Sequence, residues 1–153
     1  MRIIQIRAGR ERYMELLLMG DEQREMVERY LARGDMFVCF DGDEPVAVCV
    51  AVTNGDDWVE VMNLAVVPGR RRQGLGRAML GFVEQRYLGR SIRLGTGETP
   101  STLRFYESCG YRFSHRVPDF FTRNYDHPIV EEGVLLADMV YMVKRCGSPE
   151  LPA

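Results

Sequence analysis

The sequence predicts a single α/β domain built on a mixed sheet. The chain has 153 residues, a length that suits one domain. Apolar segments with a period of two alternate along it with segments of helical spacing. In its middle, a strand turns through a Pro-Gly corner into a Gly-spaced loop and a helix. We expect residues 1–145 to form this domain and residues 146–153 to form a short C-terminal tail.

The first third of the chain is predicted to contain one strand, two helices and a hairpin. Residues 1–7 alternate apolar and polar side chains as a strand does, and two stretches of helical spacing follow that stop near Gly20 and Gly34. The segments DMFVCF and PVAVCVAVT form a hairpin around the turn at residues 41–43. A second turn at residues 54–57 leads into the central strand.

The last third is predicted to alternate strands and helices again. A helical stripe from Leu75 to Tyr87 ends at Gly89, and SIRLGT is the next strand. Thr99 caps a short helix that stops at Gly110. YRFSHRV and VLLADMVYMVK are the last two strands, and a long polar and aromatic loop, PDFFTRNYDHPIVEEG, connects them.

The central strand does not keep a regular alternation. Val59 and Val61 point one way, whereas Leu64 and Val66 have the opposite parity. This change predicts a β-bulge or splay near residues 62–63. A bulge frees backbone N–H and C=O groups, which can then bind a linear ligand as an added strand would.

The loop after this strand has the features of an anion site. Gly74 and Gly76 allow the backbone to approach a phosphate, and the first N–H groups of the following helix point toward the ligand. Four arginines add charge suited to phosphate oxygens: Arg70, Arg71, Arg72 and Arg77. An ordinary helix start beside a solvated basic turn is the alternative.

Several other classes of protein are excluded or disfavoured. A Walker loop requires a Gly-Lys pair, which the sequence does not contain. A dinucleotide-binding fingerprint requires a small residue at its third glycine position, where this chain has Met79. The net charge of −2 gives no overall attraction to nucleic acid or anionic membranes, and no stretch resembles a membrane span or a signal peptide. We therefore expect a cytoplasmic protein. The four cysteines and two histidines form no metal pattern, and no GxSxG motif indicates a hydrolase.

The motif Arg71-x-x-Gly74-x-Gly76 after the strand end LAVVP resembles the acetyl-CoA motif of the GNAT N-acetyltransferase superfamily. The element order β-α-α-β-β-β-α-β-α-β-β resembles the GNAT fold from end to end. A second motif agrees, since Phe105-Tyr106 followed by Gly110-Tyr111 resembles the family pattern before the penultimate strand. The stretch FFTRNYDHPIVEEGVLLADM is similar to an uncharacterised bacterial subgroup.

The resemblance implies acetyl transfer from acetyl-CoA to an amine, with no metal. It assigns the general acid to Tyr106, the base to Glu60 and the oxyanion donor to the N–H of Leu64. Core packing for Tyr106, and a solvent-facing position for Glu60, are the alternatives. The cofactor-binding residues that it implies are Leu64, Val66, Arg71, Arg72, Gln73, Gly74, Leu75, Gly76, Arg77 and Thr99, the last in place of the family's usual asparagine.

The acceptor is predicted to be a small primary amine or a polyamine-like cation, ahead of a protein N-terminus or lysine. Carboxylates and aromatic rings of the long loop suit an ammonium group, and Tyr125, Glu131 and Glu132 are the candidate acceptor-binding residues. A non-catalytic acetyl-CoA sensor is the alternative function, and an RNA-binding module is a weaker third because no stacking aromatics interleave the arginines. The sequence leaves open the acceptor's identity and whether the domain forms a homodimer.

Overall fold

A computed structural model describes residues 1–55 and 57–145. The predicted tail lies outside the described residues, as does Asp56 of the predicted turn at residues 54–57. The strands are β1 (Arg2–Ile6), β2 (Asp35–Asp41), β3 (Glu44–Asn54), β4 (Trp58–Val66), β5 (Ser91–Gly97), β6 (Arg112–Val117), β7 (Val130–Glu131), β8 (Val134–Leu135) and β9 (Met139–Arg145). The α-helices are α1 (Met14–Gly20), α2 (Arg24–Leu31), α3 (Leu75–Arg86), α4 (Pro100–Ser108) and α5 (Phe120–Asn124), and 3₁₀ turns span Arg10–Tyr13 and Pro68–Arg70.

Seven of the described strands form one mixed sheet in the order β1-β2-β3-β4-β5-β9-β6. Strands β4 and β5 run parallel, and the other neighbours in this sheet run antiparallel. Strands β7 and β8 pair with each other as a separate small hairpin. The predicted mixed α/β fold is confirmed, with the predicted order of elements from β1 to β6.

Both faces of the sheet are covered, so its central strands are apolar almost throughout. Phe37 and Cys39 belong to the core layer under α3 and α4, whereas Met36 and Val38 belong to the layer under α1 and α2. Burying an apolar side chain of this size stabilises a fold by about 1.5–3 kcal/mol. The two layers therefore hold β3 and β4 rigidly between them, and β4 forms a wall of the site described below.

The bulge predicted in the central strand is confirmed. In the pairing of β3 with β4, Val50 lies opposite Asn63 and Ala51 lies opposite Val61, so Met62 is the extra residue. The extra residue changes the parity of the strand. As a result, the four side chains with conflicting parity all pack in the α3 and α4 layer, namely Val59, Val61, Leu64 and Val66.

The prediction of a structureless loop before the last strand is wrong. Residues 118–133 contain helix α5 and most of the β7–β8 hairpin, and the last strand begins at Met139, five residues after the predicted Val134. Glu132 and Gly133 join β7 to β8 with φ angles of 52° and 76°. Two successive positive φ angles are typical of the tight turn that matches the twist of a hairpin.

Candidate active site

The site is a cavity that opens where β4 and β5 separate. The parallel pairing between them runs from Trp58 and Ser91 to Val61 and Leu94, and the described ladder ends there. Beyond this point the two strands diverge around a cavity of about 670 Å³. One wall is formed by residues 61–64 of β4, and the other by residues 94–97 of β5. The edge of β4 that faces this cavity therefore has backbone groups without a strand partner.

Helix α3 follows the loop that contributes Arg71 to the cavity wall, and no side chain caps its first backbone donors. Gly74 is its N-cap, with φ of 80°, and no side chain caps the helix there. The first N–H groups of any helix lack partners within the helix, and the positive end of its dipole lies at the same place. The start of α3, from Leu75 to Arg77, can therefore bind an anionic group.

Glycine is favoured at positions 74 and 76 of the loop for two different structural reasons. Gly74 has a left-handed backbone conformation that a side chain would strain, although its Cβ position is open. Gly76 has ordinary backbone angles, but a Cβ there would lie 3.0 Å from Cζ of Phe105 on α4. Gly76 thus allows α3 to pack closely against α4, which is a reason that the sequence did not indicate.

Two of the four loop arginines each form two contacts with side chains or carbonyl groups of other elements. Arg70 forms ion pairs with Asp41 at 2.6 Å and with Glu44 at 3.4 Å. Arg77 donates to the carbonyl oxygen of Ser108 at 3.1 Å and to its hydroxyl at 2.9 Å. These guanidinium groups tie the loop to the β2–β3 hairpin and α3 to α4.

Arg71 is the loop arginine that lines the cavity. Its Nε donates to the carbonyl oxygen of Val66 at 3.2 Å, which holds the guanidinium along the end of β4. Arg72 and Gln73 are exposed, and Arg72 has a left-handed φ of 64°. Their side chains contact no described residue through a hydrogen bond or ion pair, so both are free for a ligand.

Tyr106 reaches the cavity from α4. Its ring packs edge-on against Phe105 at 5.1 Å and Tyr111 at 6.0 Å between centroids, and its hydroxyl forms no hydrogen bond with another described residue. Burial raises the pKa of the Tyr106 phenol above its ordinary value because the phenolate would lose solvent. The phenol is therefore protonated at neutral pH, with a donor available to a ligand.

Glu60 lies outside this cavity, in an adjoining one of about 220 Å³ that shares several of its residues. Its Oε1 accepts from Nε of Arg93 at 3.1 Å, and its side chain is 13% exposed. The two residues are direct partners in the parallel register of β4 and β5. Glu60 is thus ion paired with Arg93. The sequence did not predict this pair, because the register between β4 and β5 was unknown.

Leu64 lines the cavity, and Val66 continues the same edge of β4 toward the loop. Thr99 is placed differently from what a ligand-binding role requires. Its side chain is fully buried, and its hydroxyl donates to the Thr102 hydroxyl at 2.8 Å. The cavity wall at this end of α4 is formed by Ser101 and Thr102.

The three predicted acceptor-binding residues all line the cavity. Burial raises the pKa of Glu131, and the negative charges of Glu22 and Glu132 add to this effect. The Ser101 hydroxyl donates to the carboxylate of Glu132, with 2.6 Å to Oε2. This hydrogen bond connects the β7–β8 hairpin to the start of α4 and closes one side of the cavity.

Sequence reasoning missed Asp21, which lies between α1 and α2 and lines both cavities. The Tyr125 hydroxyl donates to its Oδ1 at 2.7 Å, and the Tyr30 hydroxyl donates to its Oδ2 at 3.2 Å. Burial raises the pKa of Asp21, against the opposing effect of the two hydrogen bonds. The signal in the sequence was weak, because an Asp after a helix-ending Gly also fits a turn or a helix cap.

The described residues also have buried free cysteines, no cluster suited to a metal ion and no helix suited to a membrane span. Cys39, Cys49 and Cys109 are free and buried, and Cys146 lies outside the described residues. Over residues 1–55 and 57–145, no group of three or more His, Cys, Asp or Glu side chains could hold a metal ion. No helix in the same ranges combines the length and the apolar character that a membrane span requires.

A family model described as the acetyltransferase (GNAT) domain matches residues 32–113 of the chain. The chain is also 35% identical over 130 residues to the uncharacterized N-acetyltransferase YvbK of Bacillus subtilis (strain 168). The alignment covers 82% of this chain and 84% of that protein. The chain belongs to the GNAT acetyltransferase family. The sequence-based resemblance and the prediction of an acetyltransferase are thereby confirmed.

Solved structures agree with this family membership. A Bacillus subtilis acetyltransferase in complex with CoA is 30% identical and matches with a TM-score of 0.83, over 94% of this chain and 97% of that one. A GNAT acetyltransferase from Elizabethkingia anophelis with acetyl-CoA bound is 27% identical and matches with a TM-score of 0.87, over 94% of this chain and 97% of that one. Both are proteins whose structures hold CoA or its acetyl thioester.

Proposed function

We propose that this GNAT acetyltransferase transfers the acetyl group of acetyl-CoA to the primary amine of a small cationic molecule by direct attack. The observation that carries the proposal is the cavity between β4 and β5. It brings the unpaired edge of β4, Arg71 of the loop before α3, the Tyr106 side chain and several carboxylates around one space.

Acetyl-CoA binds along β4 and at the start of α3 in this proposal. Arg71 and the backbone from Arg72 to Arg77 bind the pyrophosphate, since the N–H groups there lack a capping side chain. The pantetheine arm pairs with the β4 edge at Leu64 and Val66, where the bulge and the splay free backbone groups. Because the Thr99 side chain is buried, we assign its predicted contact to the neighbouring Ser101 or Thr102 hydroxyl.

The acceptor arrives as an ammonium ion, so the chemical step begins when it loses one proton, and the neutral amine nitrogen then attacks the thioester carbonyl carbon. The N–H of Leu64 stabilises the oxyanion, and the C–S bond then breaks to release the CoA thiolate. Tyr106 donates its proton to that sulfur and later regains one from water. Glu60 accepts the first proton, once an acceptor has entered the adjoining cavity and drawn the carboxylate from Arg93. The second proton of that nitrogen passes to water as the amide forms.

A cationic acceptor is favoured by the charges that line the cavity. Glu131 and Glu132 from the β7–β8 hairpin and Asp21 and Glu22 from the α1–α2 connection all lie on its wall. Arg71 is the one arginine or lysine among the described lining residues, and we assign it to the cofactor. An ammonium group would be attracted to the other end of the cavity, and an anionic acceptor would be repelled.

Direct attack is favoured over an acetylated enzyme because the described cysteines are buried. Burial raises the pKa of the Cys49 thiol to about 12, which leaves it without the thiolate that a covalent intermediate requires. A non-catalytic acetyl-CoA sensor is the alternative, since a cofactor site alone fits that function equally. The unbonded Tyr106 hydroxyl favours the enzyme, because a sensor has no need of a proton donor there.

An acceptor screen tests the proposal. Wild-type protein is incubated with acetyl-CoA and a panel of aliphatic monoamines, diamines, polyamines and amino acids, and thiol release is followed against a blank without acceptor. We expect release with cationic amines and little with anionic amino acids. Binding of acetyl-CoA without release for any member of the panel would favour the sensor.

A further inference from the structure

Asp21 is a partly buried carboxylate whose charge is not compensated within the described protein. Its two oxygens accept from the hydroxyls of Tyr125 and Tyr30, and among the described residues no arginine or lysine forms an ion pair with it. The backbone N–H of Gln23 also donates to this carboxylate, and the charge that acts on it is the negative one of Glu22. A carboxylate removed from water without a cation is costly, which is why burial raises its pKa.

The geometry fixes this carboxylate in position from three elements. Tyr125 follows α5, Tyr30 belongs to α2, and Asp21 itself follows α1. Tyr125 stacks on Phe121 at 5.6 Å between centroids, and Tyr30 is 3% exposed, so neither phenol is free to swing away. The carboxylate is therefore pre-oriented at the cavity wall.

Asn63 extends this network on the same wall and holds the Tyr30 hydroxyl in place. Asn63 lines the cavity and is 3% exposed, and its Nδ2 donates to the Leu17 carbonyl oxygen at 2.8 Å and the Tyr30 hydroxyl at 3.0 Å. These two hydrogen bonds orient the Asn63 amide, whereas its Oδ1 accepts no hydrogen bond from the described residues. A buried acceptor without a donor costs about 1–3 kcal/mol.

We propose that Asp21, held in place by the hydroxyls of Tyr125 and Tyr30, binds the ammonium group of the acceptor amine. The proposal rests on the function proposed above and names the residue that selects a cationic acceptor. An ammonium supplies an ion-pair partner for the carboxylate, which Arg29 and Arg33 on the wall of the adjoining cavity do not, and it brings N–H donors to the carboxylate oxygens. Asp21 lines both the cofactor cavity and the adjoining one that holds Glu60, so an amine bound to it lies between them.

The test measures binding without turnover, so that it does not depend on the proposed chemistry. The CoA complex of the wild-type protein is titrated calorimetrically with n-butylamine and with 1,4-diaminobutane, and the same is done for Asp21→Asn. This substitution keeps the shape of the side chain and removes its charge. Glu15→Gln is the matched control, because Glu15 is an exposed acid on α1 that does not line either cavity.

We expect Asp21→Asn to weaken binding of the better amine by about 10-fold or more, the loss typical of a charge-assisted hydrogen bond. Glu15→Gln should bind as the wild type does, and all three proteins should bind CoA equally. Tyr125→Phe should give a smaller loss, since it removes one hydrogen bond to the carboxylate and keeps the charge.

The proposal is overturned if Asp21→Asn binds the amine as the wild type does, or if the wild type binds neither amine. It is also overturned if Asp21→Asn weakens CoA and amine together, because that result indicates a collapsed cavity. Amine binding that depends on Asp21, without acetylated product in the acceptor screen, would support this inference and contradict the proposed transfer.

Discussion

Asn63 and Tyr30 join the bulged strand β4 to helix α2 through a hydrogen bond of 3.0 Å from Nδ2 to the phenolic oxygen. Asn63 follows the extra residue of the bulge, and Tyr30 donates in turn to Asp21. The bulge that frees the backbone of β4 is thus connected through two hydrogen bonds to the carboxylate of Asp21. Asn63, Tyr30 and Asp21 are parts of one polar network.

Gly20→Ala is expected to disturb this network. A Cβ at Gly20 would overlap Oδ1 of Asn63 and lie 3.2 Å from the carbonyl oxygen of Leu64. Overpacking of this kind costs about 1–3 kcal/mol. Denaturant unfolding should show the loss, and the KM for the amine should rise. Gly81→Ala is the control, because no atom lies within 4 Å of its Cβ position and the change should be neutral or stabilising.

Gly74→Val is expected to weaken acetyl-CoA binding. The valine must adopt the left-handed conformation at the N-cap of α3 and would also keep a phosphate from the helix start. Backbone strain of this kind costs about 1–3 kcal/mol, equivalent to roughly 5- to 150-fold in Kd. The melting-temperature increase caused by acetyl-CoA should shrink accordingly. Gly69→Val, with ordinary backbone angles and open space, serves as control, and equal shifts in both variants would refute the pyrophosphate assignment.

Tyr106→Phe is expected to impair the chemical step and leave binding intact. The ring keeps its contacts with Phe105 and Tyr111, and only the hydroxyl that faces the cavity is lost. Loss of a general acid typically lowers kcat by about 10²–10⁴-fold. Steady-state kinetics should show this fall with little change in the Kd of acetyl-CoA. An unchanged kcat would assign Tyr106 to the core and proton donation to water.

Neutralising Glu131 and Glu132 together as glutamines is expected to raise the KM of a cationic amine. Both acids line the cavity, and burial raises the pKa of Glu131, so a nearby ammonium should be favoured there. The KM of acetyl-CoA should hardly change. The control is the double change of Glu11 and Glu15 to glutamine, which removes the same charge far from the cavity. Equal effects on both substrates, or an anionic amino acid as the best acceptor, would rule out this role.

The strand, loop and helix around the cofactor site could be predicted because their signals are local. The parity change between Val61 and Leu64 predicted the bulge, and the spacing of Gly74 and Gly76 predicted the turn into α3. A single residue inserted in a strand changes the alternation of its apolar side chains, and this change can be seen without knowing the partner strand. The reason for Gly76 was not accessible, because its contact with Phe105 depends on how α4 packs.

The acceptor side of the cavity could be predicted only in part, because its contacts join distant parts of the chain. The hydrogen bond from Tyr125 to Asp21 spans 104 positions, and neither residue carries a motif. The ion pair of Glu60 with Arg93 follows from the parallel register of β4 and β5, which periodicity does not define. Strands of two residues, as in the β7–β8 hairpin, are too short for a periodic signal.

The measurement that tests the account most directly compares two products in one reaction. Wild-type protein is incubated with acetyl-CoA and the best amine of the screen, and free CoA thiol and acetylated amine are both quantified, the latter by mass spectrometry. Direct transfer predicts one acetylated amine for each thiol released, with both products falling together in Tyr106→Phe. Thiol release without acetylated amine, or an acetyl group retained on the protein when the amine is omitted, would contradict it.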